Sequence, residues 1–341
     1  MLNLKPVMLA LAIGSTLGLG ASGAMAADIT MRVADSFPTG HYIVENGTKP
    51  WMAKIKELTG GKVEFEYYPA QQLGKAKDMM SLTLSGVADI AYVAPSFVTE
   101  KLPLSGVAEL PEAFSSSCQG TMAFWPLVKE GGLLDQKELK PAGLKVLWVL
   151  VLSPYQLYMA KDPITSLDAV KGKKIRTSGA AKVKEVQALG AAPVSIPTPE
   201  VGEAVRRGTV DGMLFPHSSI IPYDLAKDVK YATVGENMGS FAVTYMMSRK
   251  KWDALPADVK KAFDAAGEAV VKQSCASTDA DEAKAIAQLK TDGVTFVTLS
   301  DADREKLKAV SSGVSAGWAA DLDKRGKPGT EVLKAFQANI K

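Results

Sequence analysis

The basic run Lys171-Gly172-Lys173-Lys174-Ile175-Arg176 puts four cations into six residues, and its last member is best placed to do chemistry. Residues 173–176 read as a strand and 179–189 as a helix closed by Gly190, so Arg176 falls at a carboxyl strand end. Open α/β sheets bind ligands at that edge. A guanidinium meets a carboxylate through two parallel hydrogen bonds, which fixes direction as well as supplying charge. The N–H groups of a helix starting near Ser178-Gly179 would add partial positive charge. The alternative is a solvated basic face, the usual fate of a charge run. Other chemistry is scarce. Two histidines (His41, His217) and two cysteines (Cys118, Cys275), widely scattered, make no four-ligand zinc site. No Gly-x-Ser-x-Gly, His-Glu-x-x-His or phosphate loop ending Gly-Lys-Ser/Thr occurs. Gly18-Leu19-Gly20-Ala21-Ser22-Gly23 matches a dinucleotide fingerprint, but no strand precedes it. An enzyme, a metal and a cofactor are therefore not expected. The balance of 40 basic and 37 acidic residues is too even for a nucleic-acid binder.

The elements around Arg176 read as α/β throughout. Ile29–Ala34 is a short strand that stops at the loop Asp35-Ser36-Phe37-Pro38-Thr39-Gly40. A helical stretch with Val44, Trp51, Ile55 and Leu58 near one face ends at Gly60-Gly61. Alternating Val63, Phe65 and Tyr67 mark a half-buried strand. A helix over 75–85 closed by Gly86 and a strand over 89–93 complete a first lobe. A second α/β run starts near Leu144 with an almost wholly apolar strand over 146–152, as expected where both faces are covered. Thr198-Pro199 has the form of a helix cap and first turn, with a stop at Gly208 and a strand over 209–215. A long helix starts at Ala257, and Ser300-Asp301-Ala302-Asp303 has capping-box spacing. With 341 residues, 47% of them apolar, and no low-complexity linker, two lobes joined by structured crossings, and hence a hinged cleft, are expected.

The first 26 residues read as an export signal. Lys5 precedes a 13-residue apolar run, Val7–Leu19, too short to span a bilayer, and Ala24-Met25-Ala26 fits a cleavage site. The mature chain is expected to be periplasmic, cut near Ala26, with no membrane insertion. In an oxidising compartment two cysteines favour a bridge, so Cys118–Cys275 is expected, closing a long loop at a gain of roughly 3–5 kcal/mol. Two separate buried thiols are the alternative.

Six fragments then carry a likeness. Lys171 to Arg176 resembles the K-G-x-K-x-R signature of the solute-binding proteins of tripartite ATP-independent periplasmic (TRAP) transporters, the DctP type. Leu189-Gly190-Ala191-Ala192-Pro193-Val194, Pro199-Glu200-Val201 with Gly208-Thr209-Val210-Asp211-Gly212, and Tyr68-Pro69-Ala70-Gln71-Gln72-Leu73-Gly74 resemble further family stretches. So do Gly86-Val87-Ala88-Asp89-Ile90 and Trp252-Asp253-Ala254-Leu255-Pro256. The order is kept over almost the whole chain after the signal. The resemblance implies a periplasmic-binding fold, class II-like: two α/β lobes around a ligand cleft, with crossover strands and a long connecting helix. The corresponding division is a signal over 1–26, lobe I over 27–152 with 241–280 returning to it, and lobe II over 153–240 with 281–341 returning to it. It also implies that Arg176 holds a ligand carboxylate.

Two departures bear on that ligand. Tyr155 stands where the family often has a second arginine, and Phe215 where it often has an asparagine; His217 and Ser218 follow. One cation among rings suits a monocarboxylate with an apolar or aromatic body, since a polyhydroxylated or doubly charged ligand would leave polar atoms unpaired. Equally, Tyr155 and Phe215 are core residues and the polar contacts come from elsewhere. Phe37 and His41, on the loop after the first strand, and Tyr92 and Ser96, past the strand over 89–93, are the first-lobe candidates. His217 and Phe241 complete the set, with core burial the plainer reading for Phe241. The expected function is capture of a small organic acid by hinge closure and delivery to TRAP permease subunits. The alternatives are a ligand sensor for a membrane receptor kinase, or the binding protein of another uptake system.

Overall fold

The structure, a computed structural model, describes Leu2 and residues 28–341, so the expected signal, Leu2 apart, and its cleavage point lie outside the described residues. Eleven strands run β1 (Ile29–Ala34), β2 (Val63–Tyr68), β3 (Ile90–Val93), β4 (Leu144–Val151), β5 (Gln156–Met159), β6 (Lys174–Thr177), β7 (Ala192–Ser195), β8 (Gly212–Phe215), β9 (Tyr231–Thr233), β10 (Ala242–Ser248) and β11 (Thr295–Val297). They form two mixed sheets, ordered β2-β1-β3-β10-β4 and β11-β9-β5-β8-β6-β7. Within the first, β10 runs antiparallel between β3 and β4; within the second, β5 runs antiparallel between β8 and β9. Each lobe thus has a parallel α/β half and one strand arriving from the other direction, as crossing between lobes requires.

Local sequence explains most elements. All eight residues of β4 are buried, including Lys145, whose ammonium reaches Glu130 at 3.1 Å. The helix Ala257–Thr291 packs on that strand at Gly267, where a Cβ would stand 2.3 Å from the Leu147 carbonyl oxygen. Trp51 and Ile55 are buried as their spacing predicts, as is Val44 on the wider turn Val44–Thr48 that opens the stretch, but Leu58, the last residue of the helix Lys49–Leu58, is 45% exposed. The helix expected over 75–85 is a 3₁₀ turn followed by Met79–Ser85, ended by Gly86 at φ +78°. Ser300 caps the helix Asp301–Lys324 by accepting from the Asp303 N–H at 3.1 Å. Thr198 does not cap: Pro199 sits in a 3₁₀ turn, Thr198–Glu200, before the short helix Val201–Arg206, and its hydroxyl is engaged elsewhere.

Two crossings lie side by side. Leu152 N–H donates to Phe241 O at 3.0 Å, Tyr155 N–H to Gly239 O at 2.8 Å, and Met238 N–H to Tyr155 O at 3.0 Å. The helix Ala257–Thr291 makes the third link. On it, Asp281 accepts from Asn46 of the first lobe at 2.9 Å, while the next residue, Glu282, accepts from the His217 and Ser218 N–H groups of the second at 2.9 and 2.8 Å. Cys118 and Cys275 are joined in a disulfide, Cα atoms 4.7 Å apart, which ties this helix to the helix Ser117–Val128. Beside it, Asp279 accepts from the Ser117 and Cys118 N–H groups at 2.7 and 3.2 Å, a carboxylate on a helix N-terminus. The C-terminal helix Gly329–Asn339 packs on the first-lobe helix Ser117–Val128, with Asn339 donating to Ala123 O at 3.1 Å.

Candidate functional site

Arg176 is the penultimate residue of β6, and its side chain is fully buried. Its Nε donates to Ile196 O at 2.9 Å, Nη2 to the Thr198 hydroxyl at 3.3 Å and Nη1 to Leu214 O at 3.4 Å. These acceptors come from the segments after β7 and on β8, the strands flanking β6, so the sheet itself aims the guanidinium. Of its five N–H donors, one on each terminal nitrogen is left for a further acceptor. Burial pulls the guanidinium pKa down, and the Tyr155 and Tyr223 hydroxyls near it act in the opposite direction. Among the described residues no carboxylate pairs with Arg176. A buried, unpaired cation is costly, several kcal/mol even after relaxation, and three neutral acceptors do not fully replace water. The solvated basic face considered for this run holds for Lys171 and Lys174, which are exposed, and not for Arg176.

Rings surround the guanidinium. Phe215 presents its face 5.3 Å from the Arg176 Cζ, with Tyr155 and Tyr223 each 6.1 Å from Phe215, centroid to centroid. Tyr223 is 5.3 Å from His41, which packs tilted 4.7 Å from Phe37, itself 4.6 Å from Tyr92. The chain of rings therefore runs from the second lobe into the first. It brings together Arg176, Tyr155, Phe215, His41, Phe37 and Tyr92 of the expected set. Asp35 stands behind Phe37, accepting from its N–H at 2.9 Å, from Tyr67 Oη at 2.9 Å and from Tyr245 Oη. Burial raises its pKa to about 6 against those hydrogen bonds.

Other contacts cross the lobes. Tyr42 Oη lies 3.2 Å from Ser219 Oγ and 3.3 Å from Ser218 Oγ. Lys182 on the helix Ala180–Ala188 is fully buried, donating to Ser240 O, 3.7 Å from the Glu109 carboxylate and 5.3 Å above the Tyr155 ring. Glu109 also accepts from Ser96 Oγ and from Ala242 N–H at 3.2 Å. Ser96 thus contacts Glu109 rather than the rings, against Gly179, where a Cβ would stand 2.8 Å from both. His217 is also drawn away: its Nδ1 bonds Tyr158 Oη and its ring packs 5.2 Å from Phe296. Phe241 packs 5.4 Å from Phe97 in the core beside β10. Sequence reasoning missed Tyr42, Thr198, Tyr223 and the Lys182–Glu109 pair. Tyr42, Tyr223 and the Lys182–Glu109 pair make contacts between segments far apart in the chain, and Thr198 carries a cap signature that its hydroxyl does not follow.

Two α/β lobes on paired crossings, with a buried cation at their junction, define a bilobed binding protein. The model for the bacterial extracellular solute-binding protein family 7, DctP, matches residues 35–320, and the chain belongs to that family. It is a DctP-type TRAP solute-binding protein for small organic acids, not an enzyme, and the family works with TRAP permease subunits. It is 28% identical over 301 residues to the C4-dicarboxylate-binding periplasmic protein DctP of Rhodobacter capsulatus, covering 84% of this chain and 85% of that one. It is 26% identical over 295 residues to the outer membrane transporter protein TsaT of Comamonas testosteroni, covering 85% of each. A marine metagenome TRAP solute-binding protein specific for aromatic acid ligands, solved with meta-hydroxyphenylacetate, superimposes with a TM-score of 0.84 at 26% identity, covering 92% of this chain and 98% of that one. Among the described residues no helix is long and apolar enough to cross a membrane, and no cluster of His, Cys, Asp or Glu has the makings of a metal site.

Proposed function

We propose that this chain captures a monocarboxylate with an apolar or aromatic body, held by Arg176 and walled by Tyr155, Phe215, Phe37, Tyr92 and His41. One observation carries the reading: a fully buried guanidinium with free donors, no acidic partner among the described residues and a ring face 5.3 Å away. A carboxylate supplies the missing charge and takes two parallel hydrogen bonds. The rings supply area and edge contacts for the body of the ligand. Only one arginine is present, so a second carboxylate would have no matching cation in this group. The likeness to a protein specific for aromatic acids supports the same class.

The ligand docks on the second lobe, and the first folds over it about the paired crossings. Closure is favoured because the ring contacts are complete only in the shut form. The chain acts in the periplasm after removal of a signal near Ala26, and the shut form is what the TRAP permease meets. In a thermal-shift screen against a carboxylate library, an aromatic or branched monocarboxylate at a hundred times its Kd stabilises the protein by about 2.7 kcal/mol. Dicarboxylates and sugar acids leave the melting point unchanged. Binding of those classes in place of monocarboxylates overturns the assignment.

A further inference from the structure

His41 is 1% exposed, and its two ring nitrogens have unlike surroundings. The Ile43 N–H donates to Nδ1 at 3.2 Å, so Nδ1 carries a lone pair. Burial lowers the pKa to about 3, which keeps the ring neutral and places its one proton on Nε2. That Nε2 is shut off from solvent and has no hydrogen-bond partner among the described residues. The same holds for the Tyr223 hydroxyl, on the ring 5.3 Å away across the lobe junction. Two unfilled polar atoms thus sit on neighbouring rings contributed by opposite lobes, one of them a fixed donor. Leaving a buried donor unmet costs about 1–3 kcal/mol, and nothing in the packing of Phe37, Tyr42 and Tyr223 around the ring replaces the missing acceptor.

We infer that the bound acid carries a second oxygen, a hydroxyl or an oxo group, that accepts from His41 Nε2–H and bonds the Tyr223 hydroxyl. This rests on the carboxylate reading of Arg176 and narrows it: His41 and Tyr223 set specificity for hydroxy or oxo acids over their plain counterparts. A hydroxyl accepts from His41 and donates to Tyr223; an oxo oxygen accepts from both. An acid lacking that oxygen leaves both atoms unmet inside a closed site.

Calorimetry against matched pairs tests this: 3-hydroxyphenylacetate with phenylacetate, mandelate with phenylacetate, 3-hydroxybenzoate with benzoate, phenylpyruvate with 3-phenylpropionate, and 2-oxoisocaproate with 4-methylpentanoate. In at least one pair the oxygenated member is expected to bind about 5- to 150-fold tighter, the range of one buried hydrogen bond. His41→Phe collapses that ratio to within about threefold by weakening the oxygenated acid alone, and His41→Gln, which keeps an N–H near the Nε2 position, restores part of it. Retention of the full ratio in His41→Phe overturns the role of His41. Nitrogen-15 correlation spectra of the ligand-free protein give an independent readout that needs no folded variant: a protonated Nε2 is expected, and a protonated Nδ1 overturns the assignment. Equal affinities within every pair sink the second-oxygen inference and leave the carboxylate reading standing. No binding by any member sinks both.

Discussion

At Arg176, lysine is no substitute for arginine. The side chain holds three neutral acceptors from three segments while keeping donors in reserve, and a single ammonium does not span that set. Arg176→Ala is expected to abolish measurable acid binding by calorimetry, and Arg176→Lys to weaken it by roughly 2–5 kcal/mol. Unchanged affinity in the alanine variant removes Arg176 from the site. Asp35 gives a pH-dependent prediction. Its folded pKa, raised to about 6 from 3.8 chiefly by burial, means the folded state holds a proton that the unfolded state has released between those values. The favourable contribution is full below about pH 4 and is lost as pH rises through about 6. Wild type is therefore expected to gain stability relative to Asp35→Asn by up to about 3 kcal/mol as pH falls from 7 to 4, measured by urea titration. A difference that does not vary with pH counts against it. The placement of Arg176 near a strand end was legible in sequence, because the strand and the helix after it both carry local signals. Tyr223 was not, since its part depends on His41, far off in the chain, and no local pattern links the two.

Among the elements, the turn between β6 and the helix Ala180–Ala188 is the most constrained. Gly179 lies at φ +78°, ψ 159°, a region essentially confined to glycine, with Ser96 and Glu109 of the first lobe against it. Gly179→Ala is expected to destabilise the fold by roughly 1–3 kcal/mol through backbone strain and, in addition, to lower affinity at least tenfold by opposing closure; melting curves and calorimetry separate the two. Equal affinity would show that the lobes meet elsewhere. The Cys118–Cys275 link closes a separation of 157 residues. The Cys118→Ser/Cys275→Ser double variant is expected to lose roughly 2–5 kcal/mol, read from denaturant midpoints, with acid binding retained. Long or strongly patterned elements were readable: the apolar β4, alternating β2 and the uninterrupted helix from Ala257. Strands β7, β9 and β11, of three or four residues, hold too few positions for a period of two to stand out. The wider turn at Val44–Thr48 has no signature in residue spacing.

For the molecule as a whole, the cross-lobe contacts of Tyr42, His41 and Lys182 belong to a shut state. Small-angle scattering is expected to show a smaller radius of gyration with a bound acid than without, and equal radii would contradict closure. The missing catalytic motifs argued against an enzyme, in agreement with the family, and the carrier reading rested on the resemblance of six fragments; neither needs geometry. Which face of each lobe meets the other does need it, and there the sequence is silent. The 35-residue helix from Ala257 to Thr291 spans about 50 Å at 1.5 Å per residue. It is stapled to one lobe at Cys275 and bonded to each lobe by adjacent carboxylates at 281 and 282. A stiff rod so fastened cannot stretch, and it passes both jaws from one anchor to the next within a single residue. Under the proposed closure the jaws swing about an axle close to that point, with travel least beside the rod and greatest at the far lip, where an arriving solute enters.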